Sequence, residues 1–100
     1  MGNGISTVLS LNQFKNPEKV FYSRLEIAKH NTESSLWVIS GNKVYDITSF
    51  YNFQLHPGGR DALLSRAGGV IDTAPDFRFH SRKTKRRWRH YFIGYVRENE

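Results

Sequence analysis

Two histidines carry the densest chemistry in this 100-residue chain: His56, within His56-Pro57-Gly58-Gly59, and His80, 24 positions further on. Imidazoles that far apart cannot share one face of one helix, but two separate turns can set them on opposite sides of a flat ligand. Aromatic and aliphatic residues flank both. An apolar slot with one imidazole on each wall is the shape a planar metal macrocycle requires, and neutral imidazole is a good iron ligand. A structural zinc would want four ligands, and a chain without cysteine leaves His30 and His90 to complete the set. A hydrolytic site lacks its constellation: Asp61 and Asp76 lie near the histidines with no paired carboxylate and no spaced serine.

The elements that must position these histidines are short. Val20-Phe21-Tyr22 reads as an edge strand, and Ser23-Arg24-Leu25-Glu26 has the spacing of a capping box opening a helix of one to two turns through Ala28. His30, at the end of that helix, is expected to bond backbone or a carboxylate rather than a ligand. Leu36 to Ile39 and Lys43 to Ile47, separated by Ser40-Gly41-Asn42, give a hairpin, with Trp37 in the core. Thr48 or Ser49 can cap a short helix carrying Phe50, Tyr51 and Phe53. Pro57-Gly58-Gly59 forces a sharp turn. A helix over Arg60 to Ala67, with Ala62, Leu63 and Leu64 inward, then ends at Gly68-Gly69. Asp72 or Thr73 caps another short helix with Pro75 in its first turn, running through Phe77 and Phe79 to His80. Ser81 to His90 fits a last helix, and Tyr91 to Val96 a closing strand.

Composition bounds the function. The chain suits one small domain, with 38% hydrophobic and 14% aromatic residues. The absence of cysteine excludes disulfides, thiolate zinc and iron–sulfur clusters, and fits a reducing compartment. No run approaches the ~20 apolar residues of a membrane span, so a cytoplasmic protein, peripheral at a membrane at most, is expected. The start, Met1-Gly2-Asn3-Gly4-Ile5-Ser6, fits the pattern for N-myristoylation at Gly2, and one acyl chain gives only marginal, reversible attachment. The division expected is an arm over residues 1–19, a domain over 20–96 and a polar tail over 97–100. The net charge of +6 is concentrated in Arg82 to Arg89 (RKTKRRWR), where six of eight residues are basic. Such a run is either a solvated helix face or a docking surface for a negative partner.

From Leu25 to Val96 the chain resembles the cytochrome b5 haem-binding domain. The resemblance rests on LEIAKHN (25–31), SLWVISGNKVYDITSF (35–50), HPGG (56–59), AGG (67–69), HS (80–81) and YFIGYV (91–96), in the family's order. It implies an α+β fold in which a small mixed β-sheet forms the base and two short helix pairs form a haem crevice. It further implies haem b as cofactor, with His56 and His80 as axial ligands. Ser81 matches the position that meets a haem propionate, Leu63 a haem-wall position, and Tyr91 an aromatic at the pocket floor. Phe50 or Phe53 is expected to fill a first aromatic site of the pocket, and Phe77 or Phe79 a second. With both axial positions filled by histidine, no coordination site is open, and the implied role is a single-domain carrier of single electrons rather than an enzyme.

This sequence departs from the family pattern in several places. Two extra residues lie between Phe50 and His56, Val70-Ile71 lengthens the stretch after AGG, and Phe79 replaces the usual glycine before the second histidine. Arg87 falls where a pocket leucine is expected, so either the last helix is rotated with Trp88 inward or a charge lies near the haem. Arg60, Arg78 and the 82–89 run make the rim basic where the family's is commonly acidic. The expected partners are therefore a reductase donor and an acceptor with acidic surfaces, meeting a monomer. The alternative is a haem-free basic module on the same fold, binding anionic membrane or nucleic acid, although no nucleic-acid motif accompanies the basic run and no nucleic acid is expected. A haem-handling or sensor protein would present the same residues.

Overall fold

The short apolar runs assemble into a mixed five-stranded sheet flanked by short helices in the computed structural model, which describes residues 18–53 and 59–98. The strands are β1 (Phe21–Ser23), β2 (Asn31–Thr32), β3 (Ser35–Ser40), β4 (Lys43–Asp46) and β5 (Phe92–Arg97), in the order β1-β5-β4-β3-β2. β1 lies at the edge and runs parallel to β5, while the other neighbours are antiparallel. The helices are α1 (Arg24–Ala28), α2 (Thr48–Phe53), α3 (Gly59–Ser65), α4 (Ala74–Phe77) and α5 (Arg82–Trp88), with 3-10 turns at Ala67–Gly69 and Arg89–Tyr91. The expected α+β architecture is therefore present. The arm's residues 1–17, including the myristoylation pattern, lie outside the described residues, as do 54–58 with His56.

Both faces of β3 are covered, which is why its sequence, Ser35-Leu36-Trp37-Val38-Ile39-Ser40, is apolar almost throughout. Leu36 and Val38 point into a first cluster with Ile47, Tyr51, Ala67 and Trp88. Ile39, and Trp37 at its margin, join a second cluster with Ile27, Val44 and Val96. The β3–β4 hairpin turns through Gly41-Asn42 between the paired Ser40 and Lys43. Gly41 has φ +65° and Asn42 does not follow it into positive φ, the pattern of a II′ turn.

Local chemistry departs from the sequence reading at two helix starts and decides an open choice at a third. Ser23 caps α1 as expected, its Oγ accepting from the Glu26 amide at 3.0 Å. The Glu26 carboxylate does not reach back to complete the box. It accepts from His30 Nε2 at 2.8 Å, and this bond holds its pKa below the usual carboxylate value. The α2 amide is met not by Thr48 or Ser49 but by Asp46, whose Oδ1 accepts from the Thr48 amide (3.1 Å) and hydroxyl (2.6 Å). Thr48 Oγ1 in turn accepts from the Leu36 amide at 2.9 Å, stitching α2 to β3. At α4 the acceptor is Asp72, which takes the Ala74 amide at 2.8 Å and the Gly41 amide at 2.9 Å.

Thr73 is left for another task. It is buried, and both its hydroxyl (2.9 Å) and its amide (2.8 Å) donate to the Ile39 carbonyl. Gly69 packs on the side chain of the same Ile39, where a Cβ would come within 2.5 Å of Cδ1. Between these two anchors the added Val70 and Ile71 are 76% and 46% exposed. The longer stretch after AGG is thus absorbed at the surface, and both α3 and α4 stay registered on the sheet.

Candidate cofactor crevice

α2, α3 and α5 each turn one stripe of residues to a common crevice with two lobes. Periodicity selects the stripes: Ser49, Phe50 and Phe53 from α2; Gly59, Ala62, Leu63 and Arg66 from α3 and the residue beyond it; Thr84, Arg87, Trp88 and Tyr91 from α5 and its extension. The first lobe, about 400 Å³, lies among Ser49, Phe50, Phe53, Thr84, Arg87 and Tyr91. The second, about 390 Å³, lies among Leu63, Ala62, Phe79, Trp88 and the Arg66–Asp76 pair. Phe50, His80 and Thr84 line both, so the histidine stands at their junction.

His80 is held by its backbone. Its amide donates to the Phe77 carbonyl at 3.1 Å, in the turn joining α4 to α5, and Ser81 then caps α5 by accepting from the Thr84 amide at 3.2 Å. The imidazole is exposed and meets Phe77 edge-on, with ring centroids 6.4 Å apart. It makes no hydrogen bond or ion pair with any described residue. His30 is the opposite case: its ring is stacked 3.6 Å from Trp37 and bonded through Nε2 to Glu26 and at Nδ1 to the Ser35 hydroxyl (2.6 Å). It is a structural residue, as the sequence implied. Among the described residues no cluster of three metal-ligating side chains occurs, so nothing there favours zinc.

Behind the crevice lies an aromatic wall. Trp88 is 6% exposed and touches Tyr45, Phe50, Phe77 and Tyr91, with centroids 5.7, 5.6, 4.8 and 6.5 Å away. At the last helix Trp88 packs inward, as one of the two expectations had it, and Arg87 lines the first lobe. At the mouth, by contrast, Phe53 and Phe79 are 82% and 89% exposed, one on each lobe. Phe79 sits there with an ordinary backbone, for among the described residues no non-glycine has positive φ. Arg66 grips Asp76 through Nε (2.6 Å) and Nη2 (3.4 Å), tying the end of α3 to α4 across the second lobe.

Of the residues singled out in the sequence, His80, Phe50, Phe53, Leu63, Phe79 and Tyr91 come together on the crevice. Phe77 does not line it. It stands behind His80 in the aromatic wall. Ser81 does not line it either, its hydroxyl being spent on the α5 cap and on Thr84 Oγ1. Ala62 and Leu63 line this cavity, Leu63 also packing against the first cluster, and Leu64 is exposed, so the α3 face is less buried than the pattern implied. Thr84, Ser49 and Arg66 were missed, although the i, i+3, i+4, i+7 stripe through Trp88 and Tyr91 carries the signal for Thr84.

Residues 23–97 match the family model described as a cytochrome b5-like haem/steroid-binding domain. The chain belongs to the cytochrome b5 family. It is 37% identical over 81 residues to cytochrome b5 of Drosophila melanogaster, covering 79% of this chain and 58% of that protein. It is 42% identical over 80 residues to Delta(5) fatty acid desaturase A of Dictyostelium discoideum, covering 79% of this chain but 17% of that one. The family's domain therefore occurs both in cytochromes b5 and inside a longer enzyme, and this chain spans well under two thirds of either relative. Among solved structures, cytochrome b5 of Ostreococcus tauri virus 2 aligns with a TM-score of 0.61 and 37% identity, covering 76% of this chain and 95% of that one.

The α5 side of this cytochrome b5 domain is basic. Arg82, Lys83, Lys85, Arg86, Arg87 and Arg89 are all exposed, and none makes an ion pair with a described residue. Arg60 is engaged, lying over the Tyr51 ring (4.6 Å to the centroid) and 3.8 Å from Glu33. Among the described residues no helix is long and apolar enough to cross a membrane.

Proposed function

We propose that this domain binds haem b in the crevice, with His56 and His80 as axial ligands, and carries single electrons between partner proteins. The observation that supports the reading most directly is His80, an imidazole without a partner among the described residues at the junction of the two lobes. A steroid, the other ligand class in the family's description, would have no use for a metal-ligating side chain there. The rest of the lining fits a flat apolar ligand: Phe50, Leu63 and Trp88 supply walls, and Phe53 and Phe79 are large exposed rings that such a ligand would cover. When bound, haem iron with two histidine ligands supplies reversible one-electron exchange and keeps no coordination position open.

The chain's own contribution is positioning and exclusion of water. The turn before α5 fixes the His80 backbone, the Arg66–Asp76 pair joins the walls of the second lobe, and the aromatic wall behind Phe50 closes the inner side. Arg87 lines the first lobe and the other exposed cations share its short helix, so an acidic partner surface would dock beside the crevice where the electron leaves. Association with such a partner slows as salt is added, because exposed charges are screened over about 10 Å at 0.1 M.

The test is reconstitution with haemin, reduction with dithionite and exposure to carbon monoxide. A protein with both axial positions taken by histidine keeps its reduced spectrum unchanged. Formation of a carbon monoxide complex, or failure to take up haemin, would overturn the proposal.

A further inference from the structure

We propose that Arg87 recognises a carboxylate of the bound cofactor, so that this chain discriminates haem from its esters through a guanidinium on α5. The inference rests on the haem reading above. Haem b carries two carboxylates, which need a counter-charge or water wherever they come to lie. Three charged residues line the described crevice. Arg66 and Asp76 satisfy one another at 2.6 and 3.4 Å, which leaves Arg87, with no ion pair among the described residues.

Its neighbours make the first lobe the polar one. Ser49 and Thr84 bring hydroxyls and Tyr91 a phenol, whereas the second lobe is walled by Ala62, Leu63, Phe79 and Trp88. Thr84 and Arg87 lie three residues apart on one face of α5, so both can address one anion. The hydroxyl of Ser81 is poorly placed to compete. It accepts from the Thr84 amide and can donate to Thr84 Oγ1, both at 3.2 Å, and it lines neither lobe. A guanidinium suits the task because its planar fork meets a carboxylate through two hydrogen bonds and never loses its charge. Of the basic residues within α5, Arg87 is the one on the crevice side, so its role differs from that of the solvated cations around it.

The experiment titrates the full chain, freed of haem, with haemin and with haemin dimethyl ester, following the Soret absorbance and tryptophan quenching. Wild type, Arg87→Leu, Arg87→Lys and Arg86→Leu are compared, with circular dichroism as a check on folding. Wild type should hold haemin about tenfold more tightly than the ester, as one net charge-assisted bond implies. Arg87→Leu should abolish that preference by weakening haemin alone, Arg87→Lys should keep part of it, and Arg86→Leu should leave both affinities unchanged. Equal affinity of wild type for acid and ester, or an Arg87→Leu protein that still prefers the acid, would overturn the inference while leaving the haem reading intact. Failure of wild type to bind either compound would defeat the haem reading itself.

Discussion

Replacing Trp88 by alanine separates the two roles of the aromatic wall, support of the fold and support of the crevice. Trp88 is 6% exposed and ringed by Tyr45, Phe50, Phe77 and Tyr91. Truncating a buried tryptophan costs about 3–5 kcal/mol, combining lost transfer energy with the cavity left behind. The edge-to-face contacts with Phe50 and Phe77 lift the expected cost above the lower end of that range, although such pair terms do not simply add. Against the roughly 5–15 kcal/mol that holds a domain together, a loss of about 4 kcal/mol is severe. With a urea slope of about 1.5 kcal/mol/M, the unfolding midpoint falls by roughly 2–3 M. The comparison is Trp37→Ala. Trp37 is half-buried in the other cluster, stacked on His30 and edge-on to Tyr22 at 4.8 Å, and its loss should cost about 2 kcal/mol. Far-UV circular dichroism is the probe, because each variant removes one of the 2 tryptophans. Haemin titration under folding conditions completes the test. Trp88→Ala weakens uptake because Trp88 walls the second lobe, and Trp37→Ala leaves it unchanged. A Trp88→Ala cost below about 1 kcal/mol, or equal effects of the two variants on uptake, would refute the division into a crevice cluster and a scaffold cluster.

Three further outcomes follow from the packing and electrostatics. Gly69→Ala should cost about 2–5 kcal/mol in denaturant unfolding, since φ is +75° and the new Cβ would lie 2.5 Å from Ile39 Cδ1. Gly41→Ala, at φ +65° with nothing within 4 Å, should cost only the conformational part, about 1–2 kcal/mol, and similar losses at both sites would contradict the assignment of Gly69 to a close approach. Burial, with a smaller effect from Tyr95, raises the Tyr45 hydroxyl above its ordinary value of 10.0. The folded state thus holds that proton more tightly, and the resulting stability is whole below about pH 10 and is lost as pH rises through the folded-state value. Ultraviolet titration of the folded protein should show a late-ionising tyrosine that disappears in Tyr45→Phe; simultaneous ionisation of all 5 tyrosines would count against it. Arg87→Leu should lower the reduction potential of the haem-loaded protein by an amount on the order of tens of millivolts, because a cation favours the reduced centre. An unchanged potential in a redox titration would remove Arg87 from the electrostatics of the site.

What the sequence made legible was local. The hairpin could be read because Gly41-Asn42 and the apolar runs on either side act over a few residues, and Ser23 could be read as a cap for the same reason. The spacing of His56 and His80, with the motifs around them, led to the right family. What stayed hidden depended on partners distant in sequence or on a choice between equivalent donors. Asp46 took the capping role assigned to Thr48 or Ser49 because Thr48 is drawn into a bond with Leu36, and the choice between Asp72 and Thr73 fell to Asp72 because Thr73 is bonded to Ile39. The harmless looping-out of Val70 and Ile71 depends on two separate anchors on Ile39, which no periodicity reports. Phe77 and Phe79 illustrate the limit within one short segment. Both are phenylalanines within three residues of His80, yet one is packed in the aromatic wall and the other stands at the mouth.

The most direct measurement of the central claim is the absorption spectrum of this 100-residue chain, oxidised and then reduced with dithionite, beside His56→Ala and His80→Ala. Two histidine ligands predict a low-spin, six-coordinate haem spectrum that becomes high-spin or vanishes in either variant. A wild-type protein that stays colourless with haemin, or a low-spin spectrum that survives loss of either histidine, would contradict it.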